Sequence, residues 1–106
     1  MKFKIPFRKE RKAVSVIRLS GLIASGTRGQ LNDQTLAPLI DKAFEKGSPS
    51  AVALLINSPG GSPVQSSLIG ARIRRLAEEK EIPVYAFVED VAASGGYWLA
   101  AVADEI

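Results

Sequence analysis

Residues 51–61 read Ala51-Val52-Ala53-Leu54-Leu55-Ile56-Asn57-Ser58-Pro59-Gly60-Gly61, an apolar run that leads directly into a glycine turn. The same succession returns downstream, where the strand-like residues 83–88 precede a turn at Ser94-Gly95-Gly96. The segment between them has apolar residues at helical spacing, namely Ile69, Ile73, Leu76 and Ala77. A strand, a helix and a strand in this order predict parallel strands joined by a right-handed crossover. Both glycine turns should therefore lie at the same edge of one sheet.

The sequence upstream adds one strand and one helix to this unit. Residues 13–19 are rich in β-branched side chains and predict the first strand. An amphipathic helix should follow, with Thr35 as N-cap, Pro38 in the first turn and Gly47 as the stop. Its buried stripe consists of Leu36, Leu39, Ile40, Ala43 and Phe44.

The second helix should run from about Pro63 to Lys80, because Pro83 forbids its continuation. On its outer face Arg74 and Glu78 are spaced to pair. With a third helix after Ser94, the sequence predicts an α/β fold in which a parallel sheet is covered by helices in βαβ units. The ending Asp104-Glu105-Ile106 is typical of a helix giving way to a new strand, which suggests a truncated domain.

Composition limits the function classes. A chain of 106 residues forms at most one domain of modest core. It has no cysteine, so it offers neither a disulfide framework nor a thiolate metal site. The longest unbroken apolar run, residues 97–103, is far shorter than the roughly 20 residues of a membrane-spanning helix. No secretory signal is visible, and we expect a cytoplasmic or peripheral membrane location.

Positive charge is concentrated at the N-terminus. Residues 1–12 hold six of the 14 basic residues and one of the 11 acids, a net charge of +5, whereas residues 13–106 carry −2. We therefore divide the chain into a basic tail, 1–12, and a folded part, 13–106, without a basic face for nucleic acid. Because Phe3, Ile5 and Phe7 alternate with the charges, the tail suits peripheral contact with an anionic membrane. The alternative is a solvated terminus.

Ser94 is the candidate nucleophile. It stands between small residues at the start of a predicted helix, where unpaired N–H groups and the helix dipole stabilise an oxyanion. The turn at Pro59-Gly60-Gly61 can expose a further amide beside that of Gly95, and two such donors next to a hydroxyl suit acyl transfer. Taken singly, each motif also fits a plainer role, a helix cap for Ser94 and an ordinary strand-to-helix turn for the glycines. Since the chain has no histidine, a Ser-His-Asp triad is excluded.

Together, the stretches Ile56 to Ser62 and Ala92 to Tyr97 resemble the signal peptide peptidase A family of serine peptidases, which has a Clp-protease and crotonase type of fold. The resemblance covers about Val14 to Ile106, so 13–106 would be the N-terminal part of a peptidase domain. It implies a Ser-Lys dyad with Ser94 as nucleophile, and Gly61 and Gly95 as oxyanion-hole amides. It also implies a membrane-derived peptide substrate, such as a cleaved signal peptide, bound extended beside Ser62-Pro63-Val64. The resemblance further implies a homo-oligomeric ring or dome, and a reaction that requires no metal or organic cofactor.

The lysine that would act as the base of the implied Ser-Lys dyad has no counterpart in the chain. In short family members it lies well downstream of the serine, whereas here the sequence ends at Ile106. Lys42, Lys46 and Lys80 are each expected near the helix ends remote from the active edge, too far for a side chain to reach. The chain alone should therefore be inactive. Family members also usually carry a spanning segment where this chain has its basic tail.

Two other interpretations stay open. A crotonase-like acyl-CoA enzyme uses the same fold and a similar pair of amides, but it usually needs carboxylates near the hole, for which Glu89 and Asp90 are the nearby acids. A non-catalytic fragment that binds peptides or partners is the other alternative. Labelling by a serine-directed fluorophosphonate distinguishes a peptidase from the acyl-CoA enzyme.

Overall fold

The computed structural model describes residues 13–25, 31–92 and 95–106. Three strands alternate with three helices along the chain. Their bounds are β1 Val14–Ser20, α1 Asp33–Glu45, β2 Ala51–Ser58, α2 Pro63–Lys80, β3 Val84–Ala92 and α3 Gly95–Ala101. The basic tail lies outside the described residues.

The three strands form one parallel sheet in the order β1-β2-β3. The register aligns Val16 with Ala53, and Ala53 with Tyr85. Neighbouring strands are thus joined through α1 and α2, as βαβ units require. The predicted α/β class and parallel sheet are confirmed.

The core lies between one face of the sheet and the helices. Along β1, Ile17 and Leu19 are fully buried while Val16, the residue before Ile17, is 58% exposed, because successive side chains point to opposite faces. The side chains on the buried face of the sheet form one hydrophobic cluster with apolar side chains of the helices, including Ile40, Phe44, Ile69 and Ile73. The fold therefore buries one face of the sheet together with the apolar faces of α1 and α2.

Helix α1 begins earlier than the sequence suggested. Asn32, not Thr35, is its N-cap, since the Asn32 Oδ1 accepts the Thr35 N–H at 2.9 Å. The predicted cap was wrong because Thr35 stands at the third helical position, where its own N–H is the one to be capped. Pro38 consequently lies inside the helix rather than in its first turn. Gly47, with φ of +74°, follows the helix end as predicted.

Helix α2 has the bounds that the sequence predicted, Pro63 to Lys80. Ser62 caps it by accepting the Gln65 N–H at 3.1 Å, and Pro63 occupies the first turn, where a missing N–H is tolerated. The expected pair between Arg74 and Glu78 is present at 3.2 Å.

Strand β3 runs to Ala92, further than the residues 83–88 that the sequence indicated. At the other end of the strand the last residues of the chain pair with it: the Ala86 N–H donates to the Glu105 carbonyl at 2.8 Å, and Tyr85 and Glu105 form a parallel bridge. This is a single bridge and not a strand, so the change from helix to a new strand near Ile106 stays a prediction. Within the described residues, no helix is long and apolar enough to cross a membrane.

Candidate active site

The turn after β2 is held by a short parallel bridge to Ile23. The Ile23 N–H donates to the Gly60 carbonyl at 2.8 Å, and the Ser62 N–H donates to the Ile23 carbonyl at 2.7 Å. In a parallel bridge of this kind the middle residue, here Gly61, turns its own N–H and C=O away from the partner. Among the described residues, none accepts the Gly61 N–H. This amide is therefore available on the side facing away from Ile23.

Gly61 is required here for two physical reasons. Its φ of +139° lies in the region that L side chains rarely adopt. A Cβ at this position would also overlap the Ile23 carbonyl oxygen. Only glycine lets the two backbone segments approach closely enough for the bridge.

The start of α3 packs directly against this turn. A Cβ on Gly95 would stand 3.5 Å from the Gly60 Cα, and one on Gly96 would stand 2.5 Å from the Ser58 carbonyl oxygen. Gly95 and Gly96 are both buried. The prediction that the two glycine turns share one edge of the sheet is thus confirmed, because the turn and the helix start are in backbone contact.

A cavity of about 330 Å³ opens between these elements. Its walls are formed by the turn, the first two turns of α2 and one side of α3, and its lining residues are Gly61, Pro63, Ser66, Ser67, Gly95 and Trp98. The structure therefore brings Gly61 and Gly95, the predicted oxyanion donors, to one cavity. The predicted nucleophile Ser94 lies outside the described residues.

The other predicted site residues stand at the start of α2. Both backbone groups of Ser62 are used, since its N–H donates to Ile23 and its carbonyl accepts the Ser66 hydroxyl at 2.8 Å. Pro63 lines the cavity and has no N–H to donate, and Val64 is 66% exposed. Ser62 and Pro63 thus have no backbone donor left for a bound peptide, and side-chain contact remains for Pro63 and Val64.

The sequence reasoning missed five residues of the site, one of which is Ser67 in the cavity wall. Ile23 supplies the bridge, and the buried Ser58 accepts the Gly60 N–H at 3.1 Å through its Oγ. Ser66 and Trp98 line the cavity. The spacing of Ser62 and Ser66, one helical turn apart, could have indicated a hydrogen bond, but no sequence signal places Ile23 beside Gly61.

The three lysines considered as bases lie far from this cavity. Lys42 is in the last turn of α1 and Lys46 is its C-cap. Lys80 ends α2, where its Nζ stands 4.0 Å from a Glu45 carboxylate oxygen. Since α2 has 18 residues and rises about 1.5 Å per residue, its two ends are about 27 Å apart. That none of them reaches Ser94 stays a prediction, because Ser94 is outside the described residues.

A charged pair joins the first turn of α1 to the middle of α2. Arg72 donates to Asp33 through Nε at 2.9 Å and Nη2 at 3.1 Å, and the Asp33 N–H donates to Gln65 at 2.8 Å. The hydrogen bonds from Arg72 lower the pKa of the Asp33 carboxyl, against the opposing effect of its partial burial. This pair fixes the helix that carries Pro63 and Ser66. The described part of the chain holds no cluster of three or more residues suited to a metal ion.

The chain is similar to known peptidases. A family model described as Peptidase family S49 matches residues 76–106. Protease 4 of Haemophilus influenzae is 36% identical over 95 residues, which are 88% of this chain and 15% of that protein. A putative signal peptide peptidase SppA of Enterococcus faecium is 31% identical over 101 residues, 90% of this chain and 29% of that protein.

A protein of Brucella melitensis named Na(+)/H(+) antiporter NhaA is 50% identical over 103 residues, which are 94% of this chain and 14% of that protein. The chain thus spans less than a third of the length of each of these relatives. Together these matches support its similarity to part of a domain of peptidase family S49, the signal peptide peptidase A family. The resemblance seen in the sequence is confirmed.

Proposed function

We propose that this chain supplies the nucleophile and the oxyanion hole of a serine endopeptidase that cleaves membrane-derived peptides, such as released signal peptides. The observation that supports it most directly is the placement of Gly61 and Gly95 on one cavity, with the Gly61 N–H turned away from its bridge partner. Ser94 precedes Gly95 in the sequence, so the proposal assigns the nucleophile to the residue next to one of the two amides.

In this mechanism the Ser94 Oγ attacks the scissile carbonyl carbon and passes its proton to a general base. The negative charge that develops on the carbonyl oxygen accepts the N–H groups of Gly61 and Gly95. One such donor contributes about 2.7–4 kcal/mol to the transition state. The C–N bond then breaks, the leaving amine takes the proton, and water releases the acyl group from Ser94.

A lysine from outside this chain is proposed as the base. Its pKa would be lowered by burial, which keeps it neutral near neutral pH. Lys42, Lys46 and Lys80 stand at the ends of α1 and α2 remote from the cavity, which supports a base from elsewhere in the protein or from a neighbouring subunit. The chain by itself should then be inactive, since general-base assistance typically supplies 10²–10⁴-fold.

The peptide would lie extended along the free side of Gly61, with one side chain in the cavity. Pro63 and Trp98 give that cavity apolar walls, which favours an apolar residue next to the scissile bond. Val64, exposed beside it, would contact a neighbouring substrate residue. We further propose a homo-oligomer, and peripheral membrane contact through residues 1–12, which carry a net charge of +5.

The acyl-CoA alternative loses one of its two candidate acids. The Glu89 carboxylate pairs with Arg18 at 3.4 Å, and Glu89 is not among the residues that line the cavity. No carboxylate lines the cavity in the part of the chain that the structure describes. A thioester enzyme of the usual kind would need one there.

The test is the Ser94→Ala variant of the full-length protein. We expect it to lose hydrolysis of an apolar fluorogenic peptide and labelling by a fluorophosphonate. Its free energy of unfolding should fall by only about 1 kcal/mol, the value of a helix cap. Turnover that persists in the variant would exclude Ser94 as nucleophile, and a collapse of stability would make capping its main role.

A further inference from the structure

Ser66 lies between the two glycine turns of the site. The residue is 2% exposed, and its hydroxyl donates to the Ser62 carbonyl at 2.8 Å. On its other side the Oγ occupies the space where a Cβ on Gly95 would stand. A single hydroxyl group thus contacts both the turn that carries Gly61 and the start of α3.

The hydroxyl adds little to the helix itself. The Ser62 carbonyl already accepts the Ser66 N–H at 3.0 Å, and a serine that bonds the carbonyl four residues earlier slightly destabilises a helix. Alanine at this position would give the better helix and would bury no polar atom. The hydroxyl is therefore explained by its contacts with the two turns.

Those contacts fix the peptide groups around Gly61. Ile23 holds the N–H of Ser62, and Ser66 holds its carbonyl, so the peptide units on both sides of Ser62 are bonded. The same Ser66 Oγ limits how closely α3 approaches. The Ser66 Oγ is thus one of the atoms, with those of Ser58 and Gly60, that set the distance between the Gly61 and Gly95 amides.

We propose that Ser66 is a positioning residue, whose hydroxyl sets the spacing between the N–H groups of Gly61 and Gly95. This inference rests on the proposed function. Oxyanion donors act at 2.7–3.1 Å, and a misplacement of about 1 Å can cost about 10²-fold in rate. Removing the Ser66 Oγ frees space of one atom between the turns, so we expect kcat to fall about 10–100-fold, with KM changed less than about threefold.

A double-mutant cycle tests the contact without any assay of activity. Gly95→Ala alone should lower the midpoint of thermal unfolding, because its Cβ would overlap the Ser66 Oγ. In a Ser66→Ala background the nearest remaining atoms would be the Ile23 Cδ1 at 3.0 Å and the Gly60 Cα at 3.5 Å, so the same substitution should lower the midpoint much less. Ser67→Ala is the matched control, and its effect should add to that of Gly95→Ala. Additive effects for Ser66 would overturn the proposal.

Kinetics of the full-length protein test the positioning role. Ser66→Ala should show the loss in kcat, and Ser66→Thr, which keeps a hydroxyl, should recover most of it. Non-additive stability together with an unchanged kcat in Ser66→Ala would make the contact purely structural and overturn the proposal. If the wild-type protein showed no Ser94-dependent hydrolysis, the proposed function would fail and the positioning role with it, while the stability cycle would still report the contact.

Discussion

Two glycine-to-alanine substitutions separate the effect of a positive φ from the effect of a close backbone contact. Gly47 and Gly61 have φ of +74° and +139°, both unfavourable for alanine. A Cβ on Gly47 would have no atom within 4 Å, whereas one on Gly61 would overlap the Ile23 carbonyl oxygen. Gly47→Ala is therefore the matched control for Gly61→Ala.

The expected magnitudes differ severalfold. A left-handed conformation costs an L-residue about 1–2 kcal/mol, partly offset by about 0.4–1 kcal/mol from the stiffer unfolded chain, so Gly47→Ala should cost about 1 kcal/mol. Gly61→Ala adds the displacement of Ile23, whose bonds to Gly60 and Ser62 are worth about 1 kcal/mol each. The strained φ of alanine at this position costs about 1–3 kcal/mol more, which brings the expected loss of stability in Gly61→Ala to about 3–5 kcal/mol.

Urea denaturation of both variants measures this difference, and peptide hydrolysis measures its consequence. Gly61→Ala should also lower kcat by about 10²–10³, since the Gly61 amide would leave the cavity, while Gly47→Ala should leave kcat unchanged. If the two variants differed by less than about 0.5 kcal/mol in stability, the Ile23–Gly61 bridge would not be the constraint described here.

Two further predictions concern the charged parts of the chain. Asp33→Asn should lower the free energy of unfolding by about 1–2 kcal/mol at pH 7, because it removes the charge that Arg72 bonds. Folding lowers the Asp33 pKa, so the stability that this carboxylate contributes is fully present above its unfolded pKa of about 4 and is lost as the pH falls through its folded pKa. A stability difference between wild type and Asp33→Asn that grew below about pH 4 would contradict this. Deleting residues 1–12 should weaken binding to anionic vesicles, as should added salt in the intact chain, and equal binding with and without the tail would rule out that role.

Much of the fold followed from local patterns. The strand-like runs and the spacing of apolar residues predicted three strands and three helices, and Pro63 and Lys80 bound α2 as predicted. Such features depend on residues that are close together in the sequence, within about one or two helical turns, and a sequence pattern reports on residues over that range. The N-cap of α1 was missed because Asn32 and Thr35 are both capping residues, and only the backbone conformation chooses between them.

The sequence by itself determined the two glycine motifs, the parallel order and hence their common edge. Tertiary structure decided which atoms meet there: that Ile23 bridges Gly61, that Ser66 fills the space beside Gly95, and that Trp98 lines the cavity. These contacts join segments from 29 to 38 residues apart, Ser66 to Gly95 and Ile23 to Gly61. Close packing is settled by volumes and backbone angles that no local pattern encodes, so such contacts arise only when the whole sheet edge is assembled.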